Sequence, residues 1–524
     1  MKPIVLSNPL ISDSSRRISY SKYLIAFIAG LLGPLGFAPF NLPGLSLLSL
    51  AILFSELIRA SRKQCLILGL SYGLAYFGFG VSWVAISIHD YGHINYFLSG
   101  LITLLFVFYL SLFPAGVAYS YSLFKKQTHP LLSVGLFSSL WCLGEFLRAH
   151  LMTGFPWLLL GTSQINSPLK YLAPILGIYG LSFLSALAAG LLALVMRQHS
   201  AKRFYYLIAF VLILITPTTL KNLQWTTPQT EAISIGAVQA NLSMRDKWDE
   251  TLFWNLLKHY NQAIDSLLGN KLIILPESAI PLPSSYLEDY LSELDKKTLA
   301  ANSALLLGII QPTDNNETNY YNSIITLGHA KGQHTKRQLV PFGEYIPQAF
   351  LAINRWLNLP EPNVVPGLLG KKLISVMHHP IASLICYEIA YPKIVRQQMP
   401  KAQWIVSISD NGWFGHSLAS YQQQQMAQML SLLTGRYQIL VNNDGLSSVI
   451  NPQGEVIAGL PSFSAGILRS EIYPVTGMTP WIKWSDYPIL GLCLLLLFIM
   501  VCFQFLPLSP LQNTIKLFRK PGSR

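Results

Sequence analysis

The chain has 524 residues, of which 51% are hydrophobic and only 12% charged, and its formal net charge is +13. Soluble globular domains carry about 25% charged residues, so an ordinary soluble protein is excluded. The basic residues sit in short clusters between apolar runs, which is the pattern of a polytopic membrane protein and leaves no reason to expect a nucleic-acid partner.

Residues 1–22 are polar and carry Lys2, Arg16, Arg17 and Lys22. Arg16-Arg17 before an apolar run suggests a twin-arginine signal, but no cleavage-like site follows, so the segment reads as a cytoplasmic anchor. Apolar stretches then recur at about 23–38, 42–59, 66–87, 96–123, 129–147, 169–195 and 204–219. Several reach the roughly 20 residues that a bilayer-spanning helix needs. Together they predict a seven-span membrane domain over 23–220. An eighth span is expected at 485–507, followed by a basic cytoplasmic tail at 508–524. Sixteen Lys and Arg residues fall in the termini and in one alternating set of short loops, against only Arg148 and Lys170 in the other set. This asymmetry predicts both termini in the cytoplasm and the large segment between the seventh and eighth spans on the far side, which in a bacterium is the periplasm. Within the spans, Glu145 and Arg148 lie i,i+3 apart. They form either an interfacial ion pair on one helix face or part of a substrate path.

The extramembrane segment, 229–475, alternates strands and helices. Strands are expected at Ile233–Asn241, Lys271–Glu277, Ala304–Ile310, Asn322–Gly328, 381–385, Trp404–Ser409, Gln438–Val441, Ser447–Ile450 and Ile467–Ile472. Helices are expected at 249–268, 286–301 and near 417–435. Apolar strands between amphipathic helices argue for sheets covered by helices, an α/β layered domain.

Of five cysteines, Cys65, Cys142, Cys493 and Cys502 lie in apolar segments, and Cys386 is the sole thiol of the extramembrane part. It ends an apolar run in Ala382-Ser-Leu-Ile-Cys-Tyr-Glu-Ile-Ala-Tyr-Pro392. A nucleophile at a strand end is held on rigid scaffold with its side chain at the sheet edge; a buried structural cysteine is the alternative. Glu277 ends its own strand in Leu-Pro-Glu-Ser, and Lys336 sits in Thr-Lys-Arg-Gln-Leu-Val-Pro-Phe-Gly-Glu-Tyr. A thiol needs a base, which a carboxylate in a partly dry pocket can supply. A tetrahedral intermediate needs positive charge and N–H donors at its oxygen, which a lysine beside the backbone can supply. Glu, Lys and Cys together describe acyl transfer through a thioester. His334, His378 and His379 lie in polar or turn-like surroundings and offer no Cys–His pair. No metal site is expected, because the ligand spacing is absent.

The order Pro-Glu-Ser, Lys-x-x-Leu-Val-Pro-Phe-Gly-Glu-Tyr, Ile-Cys-Tyr-Glu resembles the Glu-Lys-Cys triad of the nitrilase superfamily. Joined to seven preceding spans and one following, it resembles the superfamily's membrane-integrated branch, the apolipoprotein N-acyltransferases, over nearly the whole chain. Ala75-Tyr-Phe-Gly-Phe-Gly-Val-Ser-Trp83, Thr153-Gly-Phe-Pro-Trp157, Gly161-Thr-Ser-Gln164, Val238-Gln-Ala-Asn241 and Trp413-Phe-Gly415 carry the likeness further. The resemblance implies an αββα nitrilase-like fold for 229–475. It implies Glu277 as general base, Lys336 as stabiliser of the intermediate and Cys386 as nucleophile, with the Tyr387 N–H completing an oxyanion hole. Glu344 would position the Lys336–Cys386 pair, Tyr387 and Glu388 would shape the pocket, and Trp248 and Trp413 would contact substrate. It also implies a phospholipid acyl donor and a diacylglyceryl-cysteine lipoprotein acceptor in the bacterial inner membrane, with no dissociable cofactor and a monomeric enzyme.

The stretch Ile346-Pro-Gln-Ala-Phe-Leu-Ala-Ile-Asn-Arg-Trp-Leu357 is unusually apolar for a surface arm. It is expected either to be a mobile lid dipping into lipid or to pack as a helix on the domain. Two strings depart from the family pattern: Ser409-Asp-Asn-Gly-Trp-Phe414 stands where Asn-Asp-x-Trp-Phe is usual, and Met429-Leu-Ser-Leu-Leu-Thr-Gly-Arg436 where Arg-Ala-x-Glu is commoner. The second departure implies either a different acceptor or a repacked helix. The alternative enzyme is a membrane-tethered amidase that passes the thioester to water, although a hydrolase needs only one anchor.

Overall fold

A computed structural model describes residues 9–505 except 93, 126–128, 314–315, 357–361 and 369–371. The expected basic tail at 508–524 lies outside the described residues.

The first part is helical: α1 (Pro9–Leu32), α2 (Pro43–Arg59), α3 (Arg62–Gly80), α4 (Val84–Gly92), α5 (Tyr96–Phe124), α6 (Pro130–Arg148), α7 (Ala173–Arg197) and α8 (Lys202–Ile215). Local sequence sets several of the starts. Ser61 and Gln64 form a reciprocal capping box at α3, the Asn95 side chain accepts from the Leu98 N–H at α5, and prolines open α2 and α6, where no N–H is needed. Gly69 and Gly73 let α3 lie directly on α5: a Cβ on Gly69 would sit 2.5 Å from the Pro114 carbonyl oxygen. Small residues four apart permit this close approach between apolar helices.

Four of the described helical segments are long and apolar enough to cross a membrane: Tyr96–Phe124, Pro130–Arg148, Pro168–Arg197 and Lys202–Leu220. The run expected as one span over 66–87 is broken. α3 ends at Gly80 and α4 departs at a bend of 56°, the pair together long enough for a fifth. The break is held where the Trp83 Nε1 donates to Gln422 Oε1 (3.2 Å), a side chain of the other half of the molecule. Glu145 and Arg148 are both buried, but among the described residues no ion pair joins them. The Arg148 guanidinium instead donates to the carbonyls of Phe155 (2.8 Å), Trp157 (2.6 Å) and Leu158 (3.5 Å). Glu145 Oε1 accepts from the N–H of Leu160 (2.8 Å) and from Trp141 Nε1 (3.2 Å). The two residues brace the loop that follows their helix.

The second part is an α/β sandwich of two seven-stranded sheets. One runs Gly466–Ile472, Ile233–Gln239, Leu272–Ile274, Ala304–Thr313, Asn316–Gly328, His334–Thr335, with Ile280–Pro283 also paired to Ala304–Thr313. The other runs Val456–Leu460, Ser447–Ile450, Gln438–Asn442, Ile405–Ser409, His379–Ile385, Ile374–Val376, Ala330–Lys331. The two-residue period of the strands divides their side chains between two cores. Leu272, Ile274, Ala304 and Leu306 meet Ile385, Val406, Ile408, Ile439 and Val441 between the sheets. Ile273, Leu275, Leu305 and Leu307 point the other way, onto helices that cover the first sheet.

Those covering helices are α10 (Phe253–Asp265) and α11 (Glu288–Ala300), preceded by the single turn α9 (Met244–Lys247). The short α12 (Leu351–Trp356) lies in the apolar arm. The outer face of the second sheet is covered by α13 (Pro392–Gln398) and the glutamine-rich α14 (Ala419–Thr434); α15 (Pro480–Trp484) and α16 (Tyr487–Phe505) close the described chain. Ala382, Leu384, Ile405 and Leu440 of that face share one core with α14 and with the first helices. The strand Val456–Leu460, absent from the sequence-based expectation, is an edge strand with a half-exposed face, so it lacks a sustained apolar run.

Candidate active site

Cys386 follows directly on the strand His379–Ile385 and opens a short 3-10 turn, Cys386–Ala390. Its φ is +52°, a left-handed conformation that is rare outside glycine and asparagine. Such a residue persists only where the surroundings over-determine it, and here Glu388 does so. One Glu388 oxygen accepts from the Ile385 N–H (2.8 Å) and from His334 Nε2 (2.8 Å); the other accepts from the N–H groups of Arg337 (2.7 Å) and Gln338 (3.4 Å). Burial alone would raise the Glu388 pKa, but His334 and the backbone donors outweigh it and hold the carboxylate below its usual range. Glu388 thus ties the Cys386 turn to the Lys336 segment from behind. His334, expected in polar or turn-like surroundings, is buried and paired with this carboxylate.

Glu277 does not end its strand as expected. Pairing stops at Ile274, and Glu277 lies three residues beyond, on a turn completed by Ser278 at φ +45°. The turn is drawn onto the neighbouring strand because Gly308 lacks a side chain: a Cβ there would lie 2.2 Å from the Pro276 carbonyl oxygen and 2.8 Å from the Glu277 Cα. Lys336 follows the strand His334–Thr335 and is buried between two carboxylates. Its Nζ donates to Glu344 Oε1 (2.7 Å) and Glu277 Oε1 (3.3 Å). Glu344 is fixed in turn by the Val340 N–H on its second oxygen (2.8 Å). Asn322 Nδ2 bridges the same two acids, 2.7 Å from Glu277 Oε1 and 3.3 Å from Glu344 Oε1. Sequence reasoning passed over Asn322, which it placed at the start of the strand Asn322–Gly328; the strand in fact begins at Asn316, and the available signal was an asparagine against an apolar run, where that residue is disfavoured.

The electrostatics follow from this packing. Burial pushes the Lys336 pKa down, but Glu344 and Glu277 outweigh it and the ammonium is held above its usual range. Burial pushes the Cys386 thiol up to about 12; the Glu277 carboxylate adds to the rise, and Lys336 and a hydrogen bond from Ser409 only partly oppose it. Both effects favour the thiol over the thiolate at neutral pH. Ser409, which sequence reasoning did not single out, is itself held by Gln423 Nε2 (2.9 Å) from α14.

Tyr387 faces the helical half. Its ring lies parallel to Trp157 (6.5 Å between centroids, 16°), and its hydroxyl lies 3.1 Å from that of Tyr391, whose own proton goes to the Gly154 carbonyl (3.0 Å). Trp413 packs on Tyr91 of α4 (4.5 Å), and its carbonyl accepts from Ser87 (2.5 Å). Trp248 follows α9 and is half-exposed. The structure thus gathers Glu277, Lys336, Cys386 and Glu344 in one buried cluster, with Glu388 behind it; Tyr387, Trp413 and Trp248 lie outside the polar contacts. In the 429–436 string, Arg436 is fully buried and donates to the carbonyls of Ala402 (2.9 Å) and Gly477 (2.7 Å).

A strained thiol, a buried lysine and two carboxylates on an αββα sandwich define a carbon–nitrogen-hydrolase-type site, here packed against a bundle of apolar helices. Family models agree with this division: one described as apolipoprotein N-acyltransferase N-terminal domain matches residues 29–191, and one described as carbon-nitrogen hydrolase matches 234–477. The chain is 37% identical to an apolipoprotein N-acyltransferase of Coxiella burnetii over 479 residues (90% of this chain, 98% of the relative). It is 36% identical to one from Azotobacter vinelandii over 484 residues (90% and 93%). The chain belongs to the apolipoprotein N-acyltransferase family. Among solved structures, the Saccharomyces cerevisiae nitrilase-superfamily protein Nit3 matches 48% of this chain and 92% of its own at 16% identity, with a TM-score of 0.36.

Proposed function

We propose that this protein transfers a fatty acyl chain from a membrane phospholipid to the α-amine of the diacylglyceryl-cysteine at a lipoprotein's N-terminus, the last step of bacterial lipoprotein maturation. The observation that carries the reading is the buried, strained Cys386 grouped with the Glu277–Lys336 pair, at the seam with an apolar helical half. Glu277 takes the Sγ–H proton as the sulfur adds to the carbonyl carbon of a phospholipid ester. Lys336 and the Tyr387 N–H stabilise the oxyanion, and Glu344 holds Lys336 in place. Collapse breaks the ester C–O bond, Glu277 returns the proton to the departing alkoxide, and a lysophospholipid leaves. The acceptor amine then adds to the thioester, its proton passes through Glu277 to sulfur, and the amide product and free thiol result.

The same reading places eight spans in the inner membrane, both termini in the cytoplasm and residues 229–475 in the periplasm of a monomeric enzyme. What supports the orientation is the sixteen-to-two asymmetry of basic residues. Trp248 and Trp413, half-exposed aromatics beside the site, are assigned to substrate contact, and the arm at 346–357 to a lid. The test is to incubate purified protein with phospholipid and weigh it intact, beside Cys386→Ala, then add a diacylated lipopeptide. A fatty-acyl adduct on Cys386 that discharges onto the peptide amine is expected. An adduct that discharges only to water would overturn the assignment in favour of an amidase.

A further inference from the structure

On the side of Glu277 opposite Lys336 lies a second buried ion pair. Lys247, the last residue of α9, is 1% exposed, and its Nζ donates to Asp410 Oδ2 (2.5 Å) and to the main-chain carbonyl of Glu277 (2.9 Å). The Asp410 N–H donates to Glu277 Oε2 (2.9 Å). The pair therefore grips Glu277 at both ends, backbone and carboxylate. Asp410 Oδ1 is occupied by the Gly412 N–H (3.2 Å) and Asn443 Nδ2 (3.2 Å). A buried ion pair contributes little net stability, because desolvating both ions offsets their attraction, so stability alone does not account for it. A positional role does. With Asn322 and Lys336 on Oε1 and Asp410 on Oε2, Glu277 has one orientation, and the Lys247–Asp410 pair behind it is neutral as a pair.

We propose that Lys247 and Asp410 are positioning residues for Glu277, orienting its carboxylate and cancelling each other's field at it. This rests on the reading of Glu277 as the general base. The other charged and titratable groups around the cluster are Lys336, Glu344 and Cys386 on the thiol side, and Asp444, Tyr91 and Tyr260 on the Asp410 side. Asp444 is the one able to substitute for Asp410. A Cβ on Gly412 would lie 2.9 Å from Asp444 Oδ2 and 3.2 Å from Asp410 Oδ1, so both carboxylates approach the same point. Asp444 is pushed up to about 7 by burial and then by the Asp410 carboxylate.

The readout is the pH dependence of single-turnover acyl-Cys386 formation from phospholipid in detergent, by intact mass. In an Asp444→Asn background, Asp410→Asn leaves the Lys247 cation unbalanced; the acidic limb moves to lower pH by about one unit. Lys247→Met leaves the Asp410 anion unbalanced and moves the limb to higher pH; if that variant does not fold, the near-isosteric Asp410→Asn arm decides alone. A merely structural role lowers the amplitude in both variants without opposed shifts, and that result, or no shift, overturns the inference. Glu277→Gln is measured in parallel. If it still forms acyl-enzyme, the general-base reading itself falls; if it is inert while the limbs stay put, only the positioning role falls.

Discussion

Asn322 is the most exposed point of this account to experiment, because one neutral side chain holds both acids of the cluster. Asn322→Leu keeps the volume and removes the Nδ2 donor that lies 2.7 Å from Glu277 Oε1 and 3.3 Å from Glu344 Oε1. The longer contact is near the limit of a hydrogen bond, so the shorter dominates. A hydrogen bond to a charged group contributes about 1.5–3 kcal/mol. If that stabilisation holds the base in its working orientation, its loss slows acyl-enzyme formation by roughly 10- to 150-fold, at 1.4 kcal/mol per tenfold. The assay is rapid-quench intact mass with a short-chain phospholipid, with a thermal scan in detergent to confirm the fold. Asn322→Asp is the sharper variant: it places a third carboxylate against one lysine and slows the step further. A Leu variant that keeps more than a third of the wild-type rate would refute the reasoning, since the two acids would then need no bridge.

Alkylation of Cys386 by iodoacetamide should be slow at pH 7 and climb close to tenfold per unit to beyond pH 10, because the thiol is pushed up to about 12; a plateau below pH 9 would contradict this. Glu388 is held below its ordinary range, so the stability it supplies is present above the unfolded carboxylate value and is lost as pH falls through the folded one. Glu388→Gln should therefore flatten the acid side of the stability profile, and His334→Ala, which leaves three backbone donors in place, should impair activity less than Glu388→Ala. Gln422→Leu deprives Trp83 and Trp157 of their acceptor and should destabilise the protein by about 2–3 kcal/mol, read as a lower melting temperature in detergent. Deleting 350–357 should abolish turnover of bilayer-embedded phospholipid while leaving alkylation of Cys386 intact; unchanged turnover would discard the lid.

The strands were legible because their apolar residues alternate between two cores, and the Glu277–Lys336–Cys386 set because each residue sits in a short, distinctive string. What failed to show was whatever depends on the third dimension. The apolar run Leu272–Leu275 carries on past the point where pairing stops, so the strand was drawn three residues too long. The bend between α3 and α4 is invisible in a composition that stays apolar throughout, and the contact made at it, Trp83 to Gln422, spans 339 positions. Lys247 and Asp410 are 163 positions apart, and neither stands in a pattern that announces its partner. His334 was read from its polar neighbours in sequence, which say nothing of Glu388, its buried partner 54 positions away.

The seam between the two halves has one more property. Where α14 meets the helices, the joining groups are amides, indoles and backbone carbonyls: Gln422 with Trp83, Trp157 and Gly80, and Gln425 with Ala38. None of these gains or loses a proton between pH 3 and 10, and none attracts a counterion. The medium around such an enzyme, open to whatever acidity and ionic strength its surroundings impose, therefore has little purchase on this joint. The buried cluster around Cys386 is set by charge, while this contact between α14 and the helices keeps the same grip in brine as in fresh water.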